Sequence, residues 1–269
     1  MKKSGTALFL SHGGGPLPIL GDPQHAEMVG LLRKIASQIK RPSAIIVVSA
    51  HWEEEVASIT SGANPNLIYD YFNFPPEAYQ IGYPCPGEPD LAEEVFLSLK
   101  NLGIAAELNA SRGFDHGVFV PLKIMYPEAD IPCIQLSLLK SLDPESHISL
   151  GKSLQALDRE DLLIIGSGFS FHNMRAFFSK DNELTIGMNQ SFEEWLRDTC
   201  ANQSMTESER RLRLLHWETA PNARYCHPRE EHLLPLHVCY GYAEAPCAEA
   251  YSLEILSKKA SMYLWQSPN

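Results

Sequence analysis

The 269-residue chain has no C-x-x-C pair, no low-complexity or repeated segment, and no apolar run long enough to cross a bilayer. Each absence excludes a class. Lys and Arg number 22 against 33 Asp and Glu, a formal net charge of −11, which argues against nucleic acid or an anionic membrane as partner. The six cysteines (Cys85, Cys133, Cys200, Cys226, Cys239, Cys247) are scattered, so reduced, partly buried thiols are expected rather than disulfides or thiolate zinc sites. With an N-terminal apolar run that stops at Ser11 and no cleavage-site pattern, cytoplasmic residence is expected. The glycine-rich stretch Gly13-Gly-Gly-Pro-Leu-Pro lacks the Lys-Ser/Thr of a phosphate loop, and no H-E-x-x-H zinc motif is present.

What is present is a recurring arrangement of apolar strand followed by histidine. Ala44-Ile-Ile-Val-Val-Ser-Ala-His51-Trp52 reads as a strand buried on both faces, with His51 at its carboxyl end. Ala7-Leu-Phe-Leu-Ser-His12 repeats this ahead of the glycine turn, and Asp161-Leu-Leu-Ile-Ile-Gly-Ser-Gly-Phe-Ser-Phe-His172 repeats it again. Open α/β sheets collect ligands at the carboxyl ends of their strands, so these histidines are expected to share one site.

Between the strands, Asp22-Pro23 predicts a helix through about Lys40, Asp90 to Leu102 a second one closed by Gly103, and Asp143-Pro144 a third to about Leu157. Strands are predicted at Val56 to Thr60, Ala105 to Leu108 and Ile131 to Leu138. Thr185 to Asn202 and Glu207 to Leu215 read as helices, a last helix opens within the stretch from Ala220 to His237, and the segment holding Leu253, Ile255, Met262 and Leu264 reads as edge strands. Asn64 to Pro89 is a long aromatic and proline-rich connection, either a binding loop whose rings contact a flat substrate or a flap packed on the sheet. In Phe114-Asp-His116-Gly117, the glycine suggests a constrained turn aiming the imidazole inward. The whole reads as one α/β domain over residues 1–269, a mostly parallel or mixed sheet flanked by helices.

Of ten histidines, His12, His51, His116, His172 and His232 stand in turns or at element ends and are the site candidates. His25, His147, His216 and His237 fall in predicted helices and read as structural or solvated. His227, before Pro228, either orients its loop or touches substrate. His232 and His237 are five residues apart and cannot share a helix face, so at most one enters the site. Several imidazoles with few thiolates suit Zn(II), Fe(II) or another first-row ion, and a histidine outside the ligand set has the right pKa range for proton transfer.

Taken together, Ser-His12-Gly-Gly, Val-Ser-Ala-His51-Trp, Phe-Asp-His116-Gly-x-x-x-Pro-Leu, Gly-Ser-Gly-x-x-x-His172-Asn and His-Pro-x-x-Glu-His232-x-x-Pro-Leu resemble the class III (LigB-type) extradiol ring-cleavage dioxygenases, most of all their 4,5-DOPA dioxygenase subgroup. The Tyr-Pro-x-Pro-Gly and Asp-Ile-Pro-x-x-Gln-Leu-Ser-Leu segments match as well, so the resemblance runs in order through nearly the whole chain. It implies that His12, His51 and His232 bind the metal, that His172 is the acid/base beside it and a fourth ligand when zinc is bound, and that His116 lines the substrate and oxygen pocket. The wider superfamily commonly has a carboxylate as third ligand, and the neighbouring Glu230 or Glu231 is the alternative to His232.

The activity so implied is opening of a catecholic, DOPA-like ring with O2, using Fe(II), with Zn(II) able to occupy the purified protein. A zinc hydrolase and a non-catalytic metal-binding protein on the same fold are the competing readings. Arg112, Arg175 and Arg224 are candidates to bind a substrate carboxylate or are ordinary structural charges.

Overall fold

Val and Ile dominate the segments at the middle of the sheet, because strands covered on both faces have no polar face to keep. The computed structural model describes residues 5–266, and the charged start Met1–Ser4 lies outside the described residues. In chain order the elements are β1 (Thr6–Ser11), α1 (Ala26–Gln38), β2 (Ala44–Glu54), β3 (Ala57–Thr60), α2 (Pro89–Asn101), β4 (Ala106–Asn109), α3 (His116–Met125), β5 (Cys133–Leu139), α4 (Pro144–Ser153) and β6 (Leu162–Gly168). They continue with α5 (Met174–Phe177), α6 (Glu183–Ala201), α7 (Glu207–Leu215), α8 (Ala223–Cys226), α9 (Leu234–Ala243), β7 (Glu249–Ile255) and β8 (Lys258–Gln266).

One mixed eight-stranded sheet runs β4-β3-β5-β2-β6-β1-β8-β7. Its centre, β5-β2-β6-β1, is parallel, and β8 and β7 extend it antiparallel beyond β1. Ile45, Ile46, Val47 and Val48 of β2 are wholly buried, each side chain contributing about 1.5–3 kcal/mol through removal from water. One core forms against α2, α4, α6 and α9 and the other against α1 and α3. The single α/β domain and its sheet with flanking helices are as expected.

Three local expectations change. Asp22 caps a 3-10 turn, Pro23–His25, and the α-helix begins only at Ala26. The expected turn at Asp115-His116-Gly117 is the start of a helix: His116 is its first residue, and all but Lys123 of its ten residues are buried, so no amphipathic stripe marks it. β8 is interior, because its outward neighbour β7 and its inward neighbour β1 both pair with it.

The 64–89 connection packs as a flap. Tyr71 Oη donates to Ala78 O at 2.6 Å, Tyr69 Oη to Ile81 O at 2.8 Å and Tyr83 Oη to Tyr126 O at 3.0 Å, and Leu67 bridges to Phe114.

Beside the carboxyl ends of β1 and β6, α6 buries Glu193 against Ser261 of β8, and one of its carboxylate oxygens has no hydrogen-bond partner. Burial pushes its pKa up to about 7, against the hydrogen bonds from Ser261 and Ser170. A raised folded-state pKa favours the fold fully below the unfolded value, and that contribution is lost as pH rises toward 7. Glu193→Gln is therefore expected to gain stability relative to wild type as pH goes from 5 to 8, by at most about 3 kcal/mol. Denaturant midpoints of both proteins across that range check it; a pH-independent difference would refute it.

Candidate metal centre

Three adjacent parallel strands, β2, β6 and β1, deliver histidines to one end of the sheet. His12 follows β1 directly, and its N–H donates to Gly168 O at the end of β6. Gly13 then turns the chain at φ +80°, a region a side chain would strain. His51 lies within β2 where its pairing with β5 slips between Val48 and Glu53, a bulge-like irregularity that frees the strand to re-aim a side chain. His172 ends the loop after β6, and His232 sits in the turn before α9 rather than inside a helix. His116 opens α3.

All five imidazoles converge. The rings of His12, His51 and His232 have centroids 4.9, 5.4 and 5.0 Å apart pairwise, and His12 Nε2 is 3.1 Å from His51 Nε2. Two nitrogens each about 2.1 Å from one ion come to roughly 3–3.5 Å of each other, so this spacing fits a shared metal. His116 is also close, its ring 3.9 Å from that of His51 and 5.4 Å from that of His12, and ligand atoms of His12, His51 and His116 lie within 4.8 Å of one another. His172, Glu231 and His232 form a second such group, joined to the first through His232. An all-imidazole donor set suits a first-row transition metal.

Burial, then the surrounding imidazoles, hold the pKa values of His12 and His51 well below the usual range. His232 is lowered to about 3 by burial and by His172. All three are therefore neutral near pH 7, the state that has a lone pair for a metal.

The hydrogen bonds show which lone pair His12 offers. Pro121, inside α3, has no N–H to give to the carbonyl of Gly117 four residues earlier, and Ser167 Oγ donates into that carbonyl instead at 2.5 Å. With its one proton spent, Ser167 can only accept from His12 Nδ1, 3.1 Å away. His12 is thus the Nδ1–H tautomer, and its free Nε2 is the atom facing His51. A Cβ at Gly117 would lie 2.3 Å from Ser49 Oγ, so the expected constrained turn is instead a close approach between α3 and β2. Removing the orienting hydroxyl in Ser167→Ala is expected to weaken metal binding about 10–100-fold with the fold intact, measurable by competition with a chromogenic chelator. Unchanged affinity would refute the assignment.

Around His116, sequence reasoning missed a carboxylate. Asp70, in the flap, accepts the His116 backbone N–H at 2.9 Å, sits 2.9 Å from its Nδ1, and is 3.7 Å from His51 Nδ1. Burial raises its pKa, but the contacts with His116 outweigh this and leave it lowered. The signal was a lone acid among the aromatics of Tyr69-Asp70-Tyr71. Asp115, fully buried, accepts from Ser49 Oγ at 2.7 Å and Gln135 Nε2 at 2.5 Å, tying the start of α3 to β2 and β5.

His172 stacks on His232 with centroids 3.4 Å apart and planes 15° from parallel. Glu231 Oε1 lies 2.9 Å from His232 Nδ1 and 3.3 Å from His172 Nδ1. Burial pushes Glu231 up, but these two imidazoles hold it far below the usual carboxylate range. His227 is buried and donates from Nε2 to Ser170 O at 2.7 Å, which orients the loop leading to His172.

His25 is buried on the far side of the glycine turn, where Nε2 accepts Gly14 N–H at 3.0 Å and Nδ1 faces Asp22 at 2.9 Å. His147 and His237 are buried in helices with backbone partners, and His216 is exposed. Arg112 stacks on Trp52 and pairs with Asp115; Arg224 stacks on Trp217 and pairs with Glu218 and Glu230. Arg175 is exposed, on α5 just after His172, and has no ion pair among the described residues.

No helix of the described residues is long and apolar enough to cross a membrane. Residues 6–265 match the family model of the catalytic LigB subunit of aromatic ring-opening dioxygenase. The chain is 39% identical to dioxygenase tasH of Hapsidospora irregularis over 96% of its length and 84% of the relative's. It is 38% identical to the 4,5-DOPA dioxygenase extradiol of Beta vulgaris, covering 87% of this chain and 85% of that one. The enzyme of that name from Escherichia coli K12 is 34% identical over 86% and 82%. A crystal structure of uncharacterized protein JW3007 from Escherichia coli K12 superposes with a TM-score of 0.76 at 29% identity, covering 97% of this chain and 99% of that one. On a mixed α/β sheet that gathers five histidines at one end, with a family match across nearly its whole length, this chain belongs to the LigB family of extradiol aromatic ring-opening dioxygenases.

Proposed function

We propose that the protein, as one catalytic domain, opens the ring of a small catecholic, DOPA-like substrate with O2, and that His12, His51 and His232 hold the ferrous ion this needs. The observation that carries the reading is the mutual 4.9–5.4 Å spacing of those three rings, with a fourth imidazole, His172, stacked on one of them. A bound Fe(II) supplies the redox link between an electron-rich diol and dioxygen. The protein's own residues do the rest.

His172, outside the three-ring set and only partly buried, takes the proton from a catechol hydroxyl. His116, whose backbone N–H is held by Asp70, lines the side of the site where negative charge develops on oxygen. Tyr71, whose ring is 5.8 Å from that of His116, closes the flap side of the site against water. The names of the Beta vulgaris and Escherichia coli relatives support a DOPA-like catechol. Six free, buried cysteines are in keeping with a reducing, cytoplasmic setting.

The test is anaerobic loading with Fe(II), then a panel of catechols followed by oxygen electrode and by absorbance for yellow semialdehyde products. One O2 consumed per ring opened is the expected result. Metal uptake without oxygen consumption on any catechol would overturn the reading.

A further inference from the structure

The carboxylate beside His232 does not group with His12 and His51 but faces the Nδ1 atoms of His232 and His172, and these contacts point to a task other than that of a third ligand. Glu231 Oε1 meets the Nδ1 atoms of two stacked imidazoles, at 2.9 Å on His232 and 3.3 Å on His172. An ionised carboxylate only accepts, so each of those nitrogens carries a proton and each ring is left with its lone pair on Nε2. One oxygen therefore sets the tautomer of a proposed metal ligand and of the proposed acid/base together.

The carboxylate has an ion-pair neighbour in turn. Its Oε2 makes no hydrogen bond but lies 3.3 Å from Arg229 Nη1, and Arg229 makes a bidentate pair with Glu53, both hydrogen bonds 2.6 Å long. Glu53 belongs to β2, two residues beyond His51, where register with β5 resumes. The chain of contacts Glu53, Arg229, Glu231, His232 thus starts on the strand that bears His51 and returns to the ring 5.0 Å from His51. A bidentate arginine pair fixes direction as well as distance, which a single lysine contact would not.

We propose that Glu231 is a positioning residue that orients His232 and His172 at once, and that Glu53 and Arg229 form the strut that holds it. The proposal rests on the dioxygenase reading for the roles of the two histidines, while the tautomers it requires are properties of the protein alone. Glu231 acts through the two rings and touches neither substrate nor metal.

The experiment combines nitrogen-15 NMR of histidine-labelled, zinc-loaded protein with kinetics of the Fe(II) enzyme. In wild type, His172 and His232 are expected to show Nδ1–H tautomers. Glu231→Ala is expected to lose that signature on His172, to lose about 10–100-fold in kcat with KM changed less than about threefold, and to keep the ion when metal is in excess. Glu231→Gln, which keeps an acceptor oxygen, is expected to recover much of the loss. Arg229→Met, at a residue about half exposed and away from the rings, is expected to reduce kcat in the same direction by a smaller factor, and serves if Glu231→Ala does not fold. An Nε2–H tautomer on either ring in wild type, or Glu231→Ala with unchanged kcat, would overturn the proposal. So would a Glu231→Ala protein emptied of metal at excess iron, which would make Glu231 a ligand. Wild-type protein with the expected tautomers and no catechol turnover would instead count against the dioxygenase reading.

Discussion

His172→Ala is expected to keep its iron and to lose about 10²–10⁴-fold in turnover, whereas His12→Ala and His51→Ala are expected to lose the ion itself. The difference follows from position. His12 and His51 face each other through Nε2 atoms 3.1 Å apart, so either deletion removes one of three proposed donors and leaves two, too few for a closed first-row site. His172 belongs to no such facing pair; it stacks flat on His232 at 3.4 Å, so its loss removes a proton acceptor and not the cage. Iron content after equilibration with excess metal and removal of the unbound ion, measured beside kcat, separates the cases. If His172→Ala comes out empty, His172 is a primary ligand. If His12→Ala retains stoichiometric iron, the ion is held elsewhere, and the group formed by His172, Glu231 and His232 becomes the place to look.

Much of this centre is legible in the sequence, because its histidines announce themselves by where they stand. His12, His51 and His172 each close an apolar run, and a parallel sheet exposes only the carboxyl ends of such runs to ligands. What stayed hidden depends on packing from outside the local sequence. α3 gave no helical period because it is buried almost all round, and Pro121 inside it reads as a breaker until Ser167 is seen filling the carbonyl it leaves free. β8 looks like an edge from its own residues, since only the arrival of β1 on its inner side makes it interior. Glu231 stands out in the sequence only as an alternative ligand, and which imidazole nitrogens it faces is a matter of orientation that residue order does not encode. Asp70 reaches His116 across 46 residues, and only the folding back of the flap brings them together.

A zinc-loaded form is expected to be folded, tightly bound and unable to consume O2 with any catechol, while the same protein stripped and reloaded with Fe(II) turns over. Neutral imidazoles at His12, His51 and His232 bind zinc more strongly than ferrous iron in the general affinity order, so zinc is the ion expected to survive purification. Zinc has no accessible second oxidation state, so it can hold the same three rings without passing electrons to oxygen. The comparison also decides between chemistries that the same five imidazoles permit. A hydrolase would be most active as the zinc form, with water as its second reactant and no oxygen uptake; a dioxygenase shows the reverse order of metals and an absolute need for O2. Paired oxygen-electrode and product-absorbance measurements on the zinc, iron and metal-free forms of one preparation give that order directly. Ring cleavage by a rigorously iron-free zinc protein would contradict the redox role assigned to the ion, and the chemistry would then have to be sought in the protein's own groups.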